Sequence, residues 1–318
     1  MQRDSTNARS TAILLCLLAL STLGCNLESG KDEPSNNGLP EAAVVAEMVF
    51  VVRVKGKGED VRLKVPLPIA SDHVRILDEE FRLRGFTMEE IMEDDLRFVA
   101  LDYPALEGRR RFTYKALLAI DPFEHDSVSP DAPDSIPPEL RRYTLPTPRL
   151  QSRSPLVRER LIEHIEPRLE AGETDLPRMI FGLVAGQFER RTAGGTSNVL
   201  KALRKGYAND RGLDRLLITF MRAAGIPARN VTGFRLHTGG RKLERWTEAY
   251  LGDEWVPMST TKRWYGILPP DYVRMSHGER RMIEREGVER LTFKVLVRDP
   301  RPMLDVDAAK DDNQGGME

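Results

Sequence analysis

The sequence predicts an α+β protein in which a small antiparallel β-sandwich precedes a core of helices packed on an antiparallel sheet. Three observations carry this reading. Residues 44–121 alternate apolar and polar side chains with period two, as half-buried strands do. Residues 155–224 switch to helical spacing, ending in a strongly apolar segment closed by glycine and proline. Residues 228–299 return to short strands separated by glycine-containing turns.

The elements follow in order. Arg3 and Arg9 precede "TAILLCLLALSTLG", an apolar run with the proportions of a signal-peptide core over residues 1–24. Gly24 directly before Cys25 resembles the lipobox of bacterial lipoproteins, although Thr22 stands where that pattern has leucine. The resemblance implies lipid attachment at Cys25, and Asn26 implies sorting to an outer membrane that faces the periplasm. Residues 25–43 read as a flexible tether.

In 44–121, "AEMVFVVRV" and "DVRLKV" flank "KGKGE", a hairpin signal, and "HVRILDEEF", "DLRFVALDY" and "RRFTYKALLAI" are further strands. Arg109–Arg111 is expected as a solvated hairpin tip. Seven prolines mark 122–152 as a non-helical linker. The remaining domain, 153–299, opens with helices over 155–171 and from Thr174 or Asp175 onward. "VLKALRKG" is a short helix. Then Leu213, Leu216, Leu217, Phe220, Met221 and Ala224 define a buried helix stopped by Gly225 and Pro227. Strands "ARNVTGFRLH", "LERWTEAYL", "EWVPMS" and "ERLTFKVLVRD" follow; "GERRMIERE" reads as an exposed helix face and 300–318 as a disordered tail.

Composition narrows the function. A net charge of −1 gives no global reason to expect nucleic acid. The two cysteines, Cys16 and Cys25, both lie before the folded body, which therefore has no disulfide, thiolate nucleophile or cysteine metal site. The five histidines show no metal-ligand spacing, and no cofactor is indicated.

"MRAAGIPARNVTGF", "RWTEAY" and "EWVPMS" have the layout of the transglutaminase-like superfamily over roughly 145–299, which implies a papain/transglutaminase-like core. Active members carry a cysteine at the start of this helix, a histidine two residues before the tryptophan of the "HxWxE"-type strand, and an aspartate after "WVP". A helix N-terminus stabilises a thiolate, the histidine takes the proton, and the aspartate fixes the histidine tautomer. Here the three positions are Asp210, Glu244 and Ser259. The chain is also similar to bacterial inactive transglutaminase-like domains that are otherwise fused to seven transmembrane helices. That similarity rests on "VRLKVPLP", "RILDEEF", "RFTYKALL" and "YGILPPDYVRMSHGE".

The resemblance implies a non-catalytic envelope protein. Its former active-site groove, with Asp210, Glu244, Trp246, Ser259 and Trp264 as candidate lining residues, would bind a peptide or protein partner. Read locally, Asp210 is a helix cap, Glu244 a surface ion-pair partner, and Ser259 a turn residue. Two alternatives stand beside this one. Asp210 and Glu244 can act as an acid and base pair, or hold a cation, in a hydrolase on the same fold. The third reading is an envelope spacer with no groove.

Overall fold

A computed structural model of the chain describes residues 43–71, 73–125, 136–236, 243–279 and 281–302. The signal segment, Cys25, the tether up to residue 42, the whole "TGGR" stretch at 238–241 with His237, and the tail from 303 lie outside these residues.

The chain begins with β1 (Val44–Leu67), β2 (Val74–Arg82), β3 (Thr87–Glu93) and β4 (Leu96–Ile120), followed by the short β5 (Phe123–Glu124). A 3₁₀ turn at Pro138–Tyr143 leads to α1 (Pro155–His164), α2 (Glu166–Glu170) and α3 (Leu176–Gln187). The short β6 (Glu189–Arg190), α4 (Val199–Lys205) and β7 (Tyr207–Ala208) come next, then α5 (Asp210–Ala223). Strands β8 (Ala228–Arg235), β9 (Leu243–Leu251), β10 (Glu254–Ser259), β11 (Trp264–Tyr265), β12 (Ile267–Leu268) and β13 (Tyr272–His277) follow. The described chain closes with β14 (Glu284–Glu286) and β15 (Arg290–Pro302).

The α+β class and the antiparallel sheets are those the sequence predicts, but the N-terminal half differs in construction. The strands expected as a sandwich form one six-stranded sheet built on two very long strands, β1 and β4, paired along their whole length. "KGKGE" is no hairpin. The chain continues through it, with register shifts at Lys57/Glu59 and Glu59/Val61. A bulge of this kind bends a strand without reversing it. Gly56 is required there, because a Cβ would sit 2.3 Å from the Leu106 carbonyl oxygen on β4. Residues on both sides of the bulge, Phe50, Val52, Val61 and Leu63, join one core with Leu101, Phe112 and Tyr114. Arg109–Arg111 is accordingly mid-strand, opposite Lys55, Val54 and Arg53, rather than a hairpin tip.

The expected domain limits also shift. β15 pairs with the first half of β1 and β14 with the second half, so residues 284–302 complete the N-terminal sheet. Thus "GERRMIERE" contributes a strand, not a helix face, and the last strand runs to Pro302. The long strand β1 has two edges to satisfy, and only chain from far away is left to cover the second. The linker is partly structured as well. Pro138–Tyr143 is helical, and β5 pairs with β12. The single helix expected over 155–171 is broken at Ile165, where Pro167 removes a backbone donor.

The second sheet runs in the order β11-β10-β9-β8-β13, with α5 against it. Leu213, Leu216, Leu217, Phe220 and Met221 are buried together with Ile180 and Val184 of α3 and Val256 and Met258 of β10. Each such side chain contributes roughly 1.5–3 kcal/mol on burial. α5 ends in a Schellman arrangement. The Gly225 N–H bonds the Arg222 carbonyl, the Ile226 N–H bonds the Met221 carbonyl, and Gly225 takes φ +83. Phe234, Val273 and Met275 of this sheet reach into the core of the first, so the two sheets share buried surface.

Candidate functional site

The site lies at the N-terminus of α5. Asn209, not Asp210, is the cap: its side chain accepts the Gly212 N–H at 2.9 Å. Asp210 is the first helical residue, where a negative charge is favoured. The loop before α4 packs closely on this end. A Cβ on Gly212 would lie 2.2 Å from the Thr196 carbonyl, so the close approach requires glycine.

Asp210 is held by Arg190 in a bidentate pair, Nε to Oδ1 at 2.6 Å and Nη2 to Oδ2 at 2.9 Å. The short parallel pairing of β6 with β7 brings Arg190 beside Ala208, two residues before Asp210. Hydrogen bonding by Asp210 raises the Arg190 pKa further above its ordinary value. Both side chains are about half exposed, 50% and 49%.

Glu244 sits on β9 and accepts from Lys262 Nζ at 2.7 Å. Glu244 is thus an ion-pair partner as expected, and the cation comes from the turn after β10. Lys262 also lies over the rings of Trp264 and Tyr272, at 4.8 and 4.6 Å from their centroids. Burial pushes the Tyr272 phenol well above its ordinary value, with Glu244 adding to the shift.

Ser259 ends β10 fully buried, its hydroxyl 3.2 Å from that of Thr261. Ser259 and Trp246 therefore do not line an open groove. Trp246 is completely buried, packs edge-on to Tyr272 and donates its indole N–H to Glu248 at 3.2 Å. Alternation along β9 puts Glu244, Trp246 and Glu248 on one face, and the core covers all but the first. Trp264 remains partly exposed, at 4.9 Å and 90° to Tyr272.

Asp214, one turn beyond Asp210 on the same side of α5, was not expected from the sequence. It is 4% exposed. Burial pushes its carboxyl up to about 7; Lys262 opposes this and Asp210 adds to it. Its spacing of four from Asp210 and its place between the apolar positions Leu213 and Leu217 are the signal that points to it.

Beside these residues lies a cavity of about 580 Å³, bounded by Gly186 and Gln187 at the end of α3, Phe188, Arg190, Leu213, Thr260, Thr261 and Arg263. Thr260 is buried, and its Oγ1 has no hydrogen-bond partner among the described residues. No cluster of three or more histidine, cysteine or acidic side chains among the described residues could hold a metal ion.

A second polar cluster braces the same strand. Arg229, 1% exposed, bonds Glu248 through Nε and Nη2, both at 2.8 Å, and lies 3.8 Å from the Trp255 ring centroid. Burial pushes the Glu248 carboxyl up, but Arg229, Arg274 and the hydrogen bonds outweigh it and hold the pKa low. His277 packs nearby against Tyr143, and burial together with Arg229 pushes its pKa down to about 4.

Residues 168–260 match the model of the transglutaminase-like superfamily, and this part of the chain is a transglutaminase-like domain. A proposed cysteine protease from Cytophaga hutchinsonii, known from its crystal structure, is similar over 83% of this chain and 94% of its own, at 16% identity and a TM-score of 0.59. That likeness establishes a shared fold, including the N-terminal sheet. Red sea bream transglutaminase matches over 71% of this chain and 47% of its own, at 14% identity and a TM-score of 0.30. A proposed protease from Parabacteroides distasonis matches over 72% and 47%, at 9% identity and a TM-score of 0.25. No curated protein matches the sequence.

Proposed function

We propose that this is a non-catalytic transglutaminase-like protein that binds a peptide or protein segment through the former active-site groove. One observation carries the reading: at the positions of the family's cysteine and histidine, Asp210 and Glu244 are each engaged by a different cation, Arg190 and Lys262. A carboxylate held bidentate by arginine favours its charged form and is a poor proton acceptor at neutral pH. Separate partners also weigh against the alternative of a shared acid and base pair. Ser259, in the aspartate position, is buried with its hydroxyl against that of Thr261.

The cavity beside Arg190 supports binding. It offers the apolar wall of Leu213 and Phe188, backbone of α3 and the polar edge of Thr260, Thr261 and Arg263, a mixture suited to an extended segment. In this reading Cys25 carries a lipid that holds the domain at the periplasmic face of a membrane, and the partner belongs to the cell envelope. Among the described residues no helix is long and apolar enough to cross a membrane.

Selection of a displayed random-peptide library on the purified protein tests the proposal. The expected result is a related set of sequences whose binding weakens at least tenfold in Arg190→Glu or Arg263→Glu. No enrichment, or enriched peptides indifferent to both substitutions, would overturn it.

A further inference from the structure

A dense cluster of positive charge lies outside that groove, on the N-terminal sheet. Lys55 of β1 stands directly opposite Arg109 of β4 on one side and Arg290 of β15 on the other. Two residues along, on the same face, Arg53 stands opposite Arg111 and Thr292. Neighbouring strands are about 4.8 Å apart and same-face residues about 6.8 Å apart along a strand, so five cations occupy a patch roughly 10 Å across. Arg84, in the turn between β2 and β3, adds a sixth along the rim. Together they line a cleft of about 950 Å³; among the described residues its only acidic lining residue is Glu289, bonded by Lys55 at 2.9 Å.

Overall composition does not explain this, since the whole chain has a formal charge of −1. Nor does stability, because like charges directly opposite across a ladder repel. The other face of the same strands, Val52, Val54 and Phe112, is core, so alternation alone requires polar residues here but not residues of one sign. Arg53, Arg84, Arg109, Arg111 and Arg290 have no ion pair among the described residues. Five of the six cations are guanidinium groups, whose planar donor fork matches phosphate oxygens and exceeds what one carboxylate can use. A dense array of this kind suits a compact ligand carrying several negative charges more than an extended acidic peptide, which presents one charge per residue at best.

We infer that this cleft is a binding site for a multiply charged, phosphate-bearing ligand, either a lipid headgroup or a free polyphosphate. The site is independent of the α5 groove and of any reading of that groove.

The test uses the full chain and two probes, inorganic triphosphate by calorimetry and, by co-sedimentation, vesicles containing cardiolipin, whose headgroup carries two phosphates. Saturable binding that weakens with added salt is expected for at least one. Triphosphate alone identifies a soluble ligand, and vesicles without triphosphate identify a headgroup. Arg53→Gln with Arg111→Gln should weaken binding at least tenfold while leaving the thermal midpoint equal or higher, since cross-strand repulsion is relieved. Arg62→Gln with Arg285→Gln, on a face where acids are interspersed, should change binding by less than twofold. Three results would overturn the inference: no saturable binding of either probe at low salt, equal binding by the Arg53/Arg111 variant, or tighter binding of oligoglutamate than of triphosphate.

Discussion

Glu244 and Glu248 stand four residues apart on β9, and they illustrate two different uses of a carboxylate. Glu248 is buried and satisfied by Arg229, Arg274 and Trp246. Glu244 lies at the open end of the same face, its contact with Lys262 only partly covered. Asp210, across the site, is a half-exposed pair with Arg190. The contrast teaches which parts of the transglutaminase-like domain serve the fold and which serve the site. Burial makes a group's partners obligatory, whereas exposure lets its identity change at little cost in stability.

The largest effect should come from breaking the buried cluster. Glu248→Ala leaves Arg229 charged, 1% exposed and unpaired, and should destabilise by about 3–5 kcal/mol in urea unfolding. A loss below about 1 kcal/mol would erase the distinction between the two regions.

The two regions should also respond to pH with opposite sign. His277, in the buried cluster, has a folded pKa of about 4, so the unfolded chain takes up a proton first as pH falls. Its contribution is full above about 6.5 and is lost toward pH 4, about 3 kcal/mol in all. Asp214, in the site, has a folded pKa of about 7 and holds its proton when the unfolded chain has released it. Its contribution is full below about 4 and is lost as pH rises through 7, up to about 4 kcal/mol. The wild-type chain should therefore show shallow dependence between pH 4 and 7. His277→Gln should leave a stability that falls with rising pH, and Asp214→Asn one that rises. Equal slopes in both variants would contradict the assignment.

The smallest effects belong to the site pairs. Asp210→Ala and Glu244→Gln should each cost within about 1 kcal/mol, measured by thermal unfolding at low salt. A larger loss would mean that these positions brace the fold as Glu248 does.

Much of this was legible in the sequence where the determining contacts are local. The period of Leu213 to Met221 and the Gly225 stop define α5 without reference to the rest of the chain. The cap was misplaced by one residue because Asn209 and Asp210 are both good cap formers and only the bond to Gly212 separates them. The bulge at Gly56 was hidden because its glycines also suit a turn; pairing with β4, some fifty residues away, decides between the two. β15 returns to β1 across more than 230 residues, which no local pattern encodes. Trp246 read as a groove residue because the motif marks the site strand, but burial of that face assigns it to the core. The partners of Asp210 and Glu244 lie 20 and 18 residues away and follow only from the fold.

The central claim is that the site binds without turning over. It is tested most directly by incubating the purified protein with glutamine- and amide-containing peptides, with and without a primary amine, and following ammonia release. The account predicts release at the blank level for wild type, Asp210→Asn and Glu244→Gln alike. Release above blank in wild type that disappears in Asp210→Asn would contradict it.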